Sequence, residues 1–113
     1  MSLFAQTPQP PYYVVVFTTQ RKEGDNGYEA MAEKMLALAT QQKGYLGAES
    51  VRGVDGFGIT NSYWDSLENI AAWRRNIEHT FARNQGRAQW YAQYFTRIAK
   101  VERDYGFVAG DVK

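Results

Sequence analysis

The sequence contains no cysteine, and His79 is its only histidine among 113 residues. The missing thiols exclude disulfides, thiolate metal sites and a cysteine nucleophile. One imidazole is too few for the usual catalytic zinc sites, in which three protein side chains, often several of them histidines, bind the ion. We therefore expect no zinc and assign no metal-ligating residues.

A strong net charge and long apolar runs are also missing. The formal net charge is only +1, so the chain creates no long-range field that would attract nucleic acid or an anionic membrane surface. No apolar run approaches the roughly 20 residues that cross a bilayer, and the start of the chain lacks the basic and apolar regions of a secretion signal. We expect a cytoplasmic protein that binds neither nucleic acid nor membranes.

The length allows one domain with a modest core. Residues 1–11 are rich in Gln and Pro and are expected to be a flexible N-terminal segment unless something tethers them. Residues 12–107 then form the domain, and residues 108–113 a short C-terminal tail. Any active site must share the interior of this one domain with its core.

Hydrophobic patterning predicts four strands and three helices. In chain order they are a strand at 12–19, a helix from Tyr28 to about Gly44, a hairpin of strands at 45–52 and 57–64, a helix from Asp65 that turns Leu67, Ile70, Trp73 and Ile77 inward, a third helix from about Glu78 to about Tyr91, and a strand at 94–105. This order predicts an α+β protein with the ferredoxin-like split βαβ arrangement, an antiparallel sheet with its helices on one face.

The first predicted strand is apolar on both faces. Alternation places Tyr13, Val15 and Phe17 on one side and Tyr12, Val14 and Val16 on the other. Helices on one face of the sheet leave the second apolar side bare, and an exposed patch of that size is a liability in water. The pattern therefore predicts a twofold homodimer that buries one sheet face against another.

Three stretches carry a family resemblance: GYLGAES in the hairpin, SYWDSLENIAAWRRNIEH after it, and NQGRAQWYAQYFTRIAKVERDYGF towards the end. They resemble the antibiotic biosynthesis monooxygenase family of dimeric α+β barrels, over about nine tenths of the chain. The resemblance implies a homodimer with a small-molecule pocket between the helices and the sheet of each subunit. Studied members oxidise phenolic polyketide intermediates with O2 and without metal or flavin, while a related branch binds and degrades haem.

His79 and Arg83 are the first candidates for the chemistry that the resemblance implies. Cofactor-free oxygenation needs a substrate that donates an electron once it is deprotonated, so the protein must supply a base, an oxyanion partner and a dry pocket. His79 is the only side chain whose ordinary pKa suits proton transfer near neutrality, and Arg83 and Arg87 follow it at four-residue steps. The alternative is that His79 packs at a helix junction and the arginines form a solvated helix face.

Aromatic and polar residues near the hairpin supply the other candidates. Polar Asn, Trp and Tyr groups bind substrate in the phenol-oxidising members, and Asn61, Tyr63 and Trp64 are the nearest matching types here. We predict Asn61 and Tyr63, with His79, as catalytic groups. Trp64, Trp73 and Arg83 are predicted to bind substrate, although the helical spacing of Trp73 with Ile70 and Ile77 is more typical of plain core.

The haem-degrading branch supplies an alternative cofactor. That branch has an Asn on the first strand, a Trp on the second helix and an iron-ligating His on the next helix. Trp73 matches, but the first strand contains no Asn, and counting from Trp73 puts Arg83 at the ligand position, one turn beyond His79. Three functions therefore stay open: a cofactor-independent monooxygenase, which we favour, a haem-binding or haem-degrading protein, and a non-catalytic dimeric module that binds a small molecule.

Overall fold

The computed structural model describes residues 3–24, 27–84 and 90–110, and the side chains of these residues except those of 78–84. In chain order the elements are β1 (Tyr12–Arg21), α1 (Tyr28–Thr40), β2 (Tyr45–Arg52), β3 (Phe57–Trp64), α2 (Leu67–Asn84) and β4 (Tyr91–Val101). No helix in these ranges is long and apolar enough to cross a membrane.

The strands form one antiparallel sheet in the order β2-β3-β1-β4. Both helices lie on the same side of it, because α1 (Leu38, Ala39) and α2 (Ile70, Trp73) pack into one core cluster around Trp64 of β3. This confirms the predicted α+β class and the ferredoxin-like arrangement of strands and helices. We call the covered side of the sheet the helix face and the other side the outer face.

The hairpin strands have the bounds that the sequence predicted, whereas two later elements differ. The predicted start of a separate helix at about Glu78 is wrong, because residues 78–84 continue α2. The helix is continuous here since no Gly or Pro occurs between Trp73 and Asn84. The rest of that predicted helix includes residues 85–89, which lie outside the described residues. The last strand begins at Tyr91 and ends at Val101, where its partner β1 begins at Tyr12. Pairing with β1 thus sets its length.

Residues 3–11 are joined to the outer side of the sheet. The backbone N–H of Ala5 donates to Oε2 of Glu49 at 3.1 Å, and Oγ1 of Thr7 donates to the hydroxyl of Tyr12 at 3.2 Å. Ala5 also lies close to Gly47, where an added Cβ would come within 3.1 Å of the alanine Cβ. The sequence had left open whether anything tethers this segment, and these contacts do so.

Candidate functional site

The structure brings Trp64 and Trp73 together in the core. Their rings stack with centroids 6.2 Å apart, and Nε1 of Trp64 donates to Oγ of Ser62 at 3.0 Å. Trp64 is completely buried and Trp73 is 9% exposed. The two side chains fill the end of the helix face where β3 passes into α2, as the helical spacing of Trp73 with Ile70 had indicated. Their predicted role in substrate binding stays a prediction.

Asn61 and Tyr63 lie on the other side of the sheet. In the strand register Asn61 pairs with Val16 and Tyr63 with Val14 of β1, and the ring of Tyr63 contacts that of Tyr12 at 5.9 Å. Since neighbouring strand residues alternate between faces, the sheet separates both side chains from Trp64. A pocket between sheet and helices would therefore not contain them, and the structure does not bring these candidates together with the two tryptophans.

Tyr63 takes part in a hydrogen-bond network on the outer face. Its hydroxyl donates to Oε1 of Glu49 at 2.6 Å. Burial and this carboxylate raise the pKa of Tyr63 to about 12. Next to it the hydroxyl of Tyr12 donates to Asp104. A phenol held this firmly in its neutral form is a poor base, so the geometry favours a structural contribution from Tyr63; the predicted catalytic roles of Tyr63 and Asn61 stay predictions.

His79 and Arg83 belong to the second half of α2. Their side chains, like Arg87 as a whole, lie outside the described residues. The helix carries their backbone beyond Ile77, which packs against the Trp64 cluster on the helix face. Their predicted roles as base and as phenolate partner stay predictions.

A second cluster lies on the helix face at the opposite end of β1. We call it the aromatic–arginine cluster, and it consists of Phe17, Arg21, Tyr28, Arg52, Tyr91 and Tyr94. A bulge in the pairing of β4 with the end of β1 allows Tyr91 and Tyr94, three residues apart, to face the same side. Their ring centroids are 5.8 Å apart, and Phe17 lies 5.9 Å from Tyr91 and 5.5 Å from Tyr94.

Two guanidinium groups lie beside the ring of Tyr28. Cζ of Arg21 is 3.6 Å and Cζ of Arg52 is 5.6 Å from the ring centroid, both within the range of a cation–π interaction. Arg52 is held at two points, because Nη2 donates to the hydroxyl of Tyr28 at 3.1 Å and Nη1 to the carbonyl of Gly56 at 2.6 Å. The cluster therefore combines aromatic faces with positive charge.

Tyr91 is the half-buried phenol of the cluster. Its ring centroid is 5.8 Å from that of Tyr28. Burial and the neighbouring Tyr28 raise the pKa of Tyr91, and the positive charges of Arg52 and Arg21 only partly oppose that rise. Tyr91 thus stays a neutral hydrogen-bonding group over the physiological pH range, while the arginines supply the charge that could stabilise an ionised ligand oxygen.

Small side chains line the helix face between the two clusters. They are Ser62 and Thr60 of β3 and Ala48 and Ser50 of β2, which occupy helix-face positions in the strand register. Oγ of Ser50 and Oγ1 of Thr60 are hydrogen-bonded at 2.7 Å. These four side chains are short and present hydroxyl and methyl groups on the helix face.

Arg21, Tyr28 and Arg52 were not predicted from the sequence. A usable signal was present, because β1 and β2 are each antiparallel to β3 and so run parallel to each other, which brings their last residues, Arg21 and Arg52, to the same end of the sheet. Tyr91 was not predicted as a site residue, since the bulge that turns it to the helix face is not visible in the sequence. Within the described residues, no group of three or more His, Cys, Asp and Glu side chains could hold a metal ion.

Comparison with known proteins identifies a close relative. The chain is 50% identical over 103 residues to the uncharacterized protein YqjZ of Bacillus subtilis, which covers 91% of this chain and 90% of that protein. The chain belongs to the same family as YqjZ. No family model matches the sequence.

Three crystal structures share the fold. PA3566 from Pseudomonas aeruginosa matches with a TM-score of 0.64 at 13% identity, over 87% of this chain and 99% of that one. A Bordetella bronchiseptica protein provisionally described as an antibiotic biosynthesis monooxygenase has a TM-score of 0.62 at 12% identity, over 85% of this chain and 100% of that one. NE2512, a protein of unknown function from Nitrosomonas europaea, has a TM-score of 0.62 at 17% identity, over 91% and 100%. The chain thus has the antibiotic biosynthesis monooxygenase fold that the resemblance implied.

Proposed function

We propose that this protein is a cofactor-independent monooxygenase that oxidises a small aromatic or polyketide-like phenol with O2. The observation that carries the proposal is the aromatic–arginine cluster on the helix face, where the half-buried phenol of Tyr91 lies against Tyr28 and Tyr28 accepts a hydrogen bond from Arg52. The fold shared with the Bordetella bronchiseptica protein supports the reaction class.

The cluster has the properties that a phenolic substrate needs. Edge-to-face contacts of Tyr91 with Phe17 and Tyr28 support an aromatic substrate, because a planar ring would pack against the same side chains. Loss of the substrate's hydroxyl proton produces a phenolate, which the guanidinium group of Arg21 favours by Coulomb attraction. The protein thereby lowers the cost of forming the electron-rich species that reacts with O2.

In the proposed reaction the deprotonated substrate itself reduces O2, without a cofactor. The phenolate transfers one electron to O2, the resulting superoxide and substrate radical combine at a ring carbon, and loss of water leaves a quinone. In sum, a phenol with a hydrogen on the reacting carbon and one O2 give one quinone and one water, so no outside reductant is consumed. His79 is the proposed base that accepts the hydroxyl proton, and Arg83 is a proposed partner of the phenolate.

The proposal includes a homodimer, in the cytoplasm, formed through the outer face. That face carries large apolar side chains with substantial exposure, among them Phe57 at 48%, Phe95 at 55% and Val51 at 70%. Thr18, Phe57 and Phe95 also line a shallow groove of about 190 Å³. A second copy that packs sheet against sheet would cover these groups, and Asn61 and Tyr63 would then lie at the interface.

The decisive test is oxygen-dependent turnover by chelator-treated, haem-free protein. We expect a panel of hydroxylated naphthalenes and anthrones to yield quinones with one atom of 18O from 18O2, and we expect no turnover without oxygen. The Tyr91→Phe and His79→Gln variants should each turn over at least about tenfold more slowly. The matched control is Tyr105→Phe, because Tyr105 is 95% exposed and lies near the C-terminus.

Two results would contradict the proposal. Turnover that continues unchanged under anaerobic conditions excludes a monooxygenase. Equal rates for wild type, Tyr91→Phe and Tyr105→Phe would show that the aromatic–arginine cluster takes no part in the reaction.

A further inference from the structure

We infer that Arg52 forms the anion-binding end of the substrate site, so that the substrate is a phenol that also carries a carboxylate. The inference rests on the proposed function and makes the substrate class more specific. It depends on how the guanidinium of Arg52 is held, on the partners it has, and on the aromatic surface beside it.

The guanidinium of Arg52 is fixed in place before any ligand binds. Its hydrogen bonds to the carbonyl of Gly56 and the hydroxyl of Tyr28 anchor both terminal nitrogens. The group also lies directly over Gly58, where an added Cβ would come within 2.9 Å of Cζ of Arg52. Because the long side chain is already ordered, less conformational entropy is lost when an anion binds to it.

Among the described residues, most of the hydrogen-bonding capacity of Arg52 is unused. A guanidinium has five N–H donors, and the two hydrogen bonds of Arg52 leave three of them. Within the described part of the chain, Arg52 has no ion pair with a carboxylate. Asp55, three residues further along the chain, instead accepts a hydrogen bond at Oδ1 from the backbone N–H of Phe57 at 3.1 Å.

The planar fork of an arginine is suited to two oxygens on one carbon, which is the geometry of a carboxylate. Arg52 is exposed to solvent at the end of β2, so an anion can reach it without opening the core. Tyr28, Tyr91 and Phe17 lie on the inward side and present aromatic surface. A ligand that contacts both Arg52 and this aromatic surface has a carboxylate at one end and an aromatic ring at the other. With the phenolic hydroxyl of the proposed substrate, it is an aromatic hydroxy acid.

Binding under anaerobic conditions tests this inference apart from turnover. Isothermal titration calorimetry compares a hydroxynaphthoate with the matching hydroxynaphthamide, which has the same shape and no charge. We expect the carboxylate to bind at least about tenfold more tightly than the amide, as is usual for a charge-assisted, bidentate hydrogen bond. Arg52→Gln should abolish this preference, and Arg52→Lys, which keeps the charge and loses the fork, should remove most of it.

Arg103→Gln is the matched control, because Arg103 is an exposed arginine that follows Val101, at the Tyr12 end of β1 and away from Arg52. It should keep the full preference for the carboxylate. Equal affinities for the two ligands in the wild type, or a preference that survives Arg52→Gln in folded protein, would overturn the inference. Carboxylate-selective binding with no oxidation in air would leave the inference standing and contradict the monooxygenase proposal instead.

Discussion

The indole rings of Trp64 and Trp73 stack on each other, with planes only 27° apart, and this contact joins β3 to α2. Ile70 and Ala39 complete the buried cluster. Because Trp64 has no exposed surface, a ligand could not touch its ring without opening the core. The two tryptophans therefore close one end of the helix face. The candidate ligand site is the aromatic–arginine cluster at the other end.

Replacing Trp64 should strongly destabilise the fold. We expect Trp64→Ala to lower the free energy of unfolding by about 3–5 kcal/mol, because it removes a fully buried ring and leaves a cavity beside Trp73. Urea unfolding at one fixed protein concentration measures the change. Leu36→Ala is the control, since Leu36 of α1 is 56% exposed and should cost little. A loss below about 1 kcal/mol for Trp64→Ala would contradict its place in the core.

Tyr63 should make stability depend on pH in the alkaline range. Its pKa is raised to about 12 in the folded protein, mainly by burial and then by Glu49, whereas an unfolded tyrosine titrates near its ordinary value of about 10. Between these values the unfolded chain loses the proton and the folded chain keeps it, so stability falls as pH rises. Below pH 10 this contribution is fully present.

Tyr63→Phe should therefore weaken the fall in stability between about pH 10 and pH 12. Urea unfolding at several pH values in this range provides the measurement. Tyr105→Phe is the control, because it removes a phenol that is 95% exposed. If the wild type and Tyr63→Phe lost stability in parallel, the bond from Tyr63 to Glu49 would not have the effect that its geometry indicates.

Much of the fold could be predicted because its signals are local. The β2–β3 hairpin was correct at both ends, since an Asp-Gly turn and two short runs of strand-forming residues define it. The bounds of β4 were not predicted, because they depend on pairing with Tyr12 and Arg21 of β1, far away in sequence. The false break near Glu78 has a local cause, because the polar run at 74–76 in the middle of α2 resembles a junction between two helices.

The site was harder to predict than the fold. Both faces of β3 carry plausible ligand groups, Asn61 and Tyr63 on one and Ser62 and Trp64 on the other, so the sequence could not say which face the helices cover. The aromatic–arginine cluster joins the ends of three strands and the start of α1. Its residues are far apart in sequence, and only the tertiary structure places them together.

Thr19 provides a test of the interior near the cluster. It is 3% exposed, and its Oγ1 has no hydrogen-bond partner within the described part of the chain. A buried hydroxyl without a partner costs about 1–3 kcal/mol. We expect Thr19→Val to leave the free energy of unfolding unchanged or to raise it by about 1 kcal/mol, because a methyl group replaces the hydroxyl without loss of a hydrogen bond.

Thr60→Val is the comparison for Thr19→Val, although Thr60 is only partly buried. Both residues are strand threonines on the helix face, but the hydroxyl of Thr60 is bonded to Ser50 at 2.7 Å. Thr60→Val should therefore lower stability, by about 1 kcal/mol. Thermal unfolding of the two variants side by side compares them, and a larger loss for Thr19→Val than for Thr60→Val would show that the hydroxyl of Thr19 is satisfied in solution.

The homodimer through the outer face makes a further prediction. Phe95 projects from β4 on that face, opposite Thr18, and is 55% exposed in the single chain. Phe95→Glu would place a charge inside a sheet-to-sheet interface, where burying it without a partner costs several kcal/mol, so we expect dissociation at micromolar concentration. Sedimentation velocity should show dimers for the wild type and monomers for Phe95→Glu.

Leu36→Glu is the control, because it changes a residue of nearly equal exposure on α1, and it should remain dimeric. Monomeric wild type would contradict the dimer, and dissociation of both variants would show that the interface is not confined to the outer face.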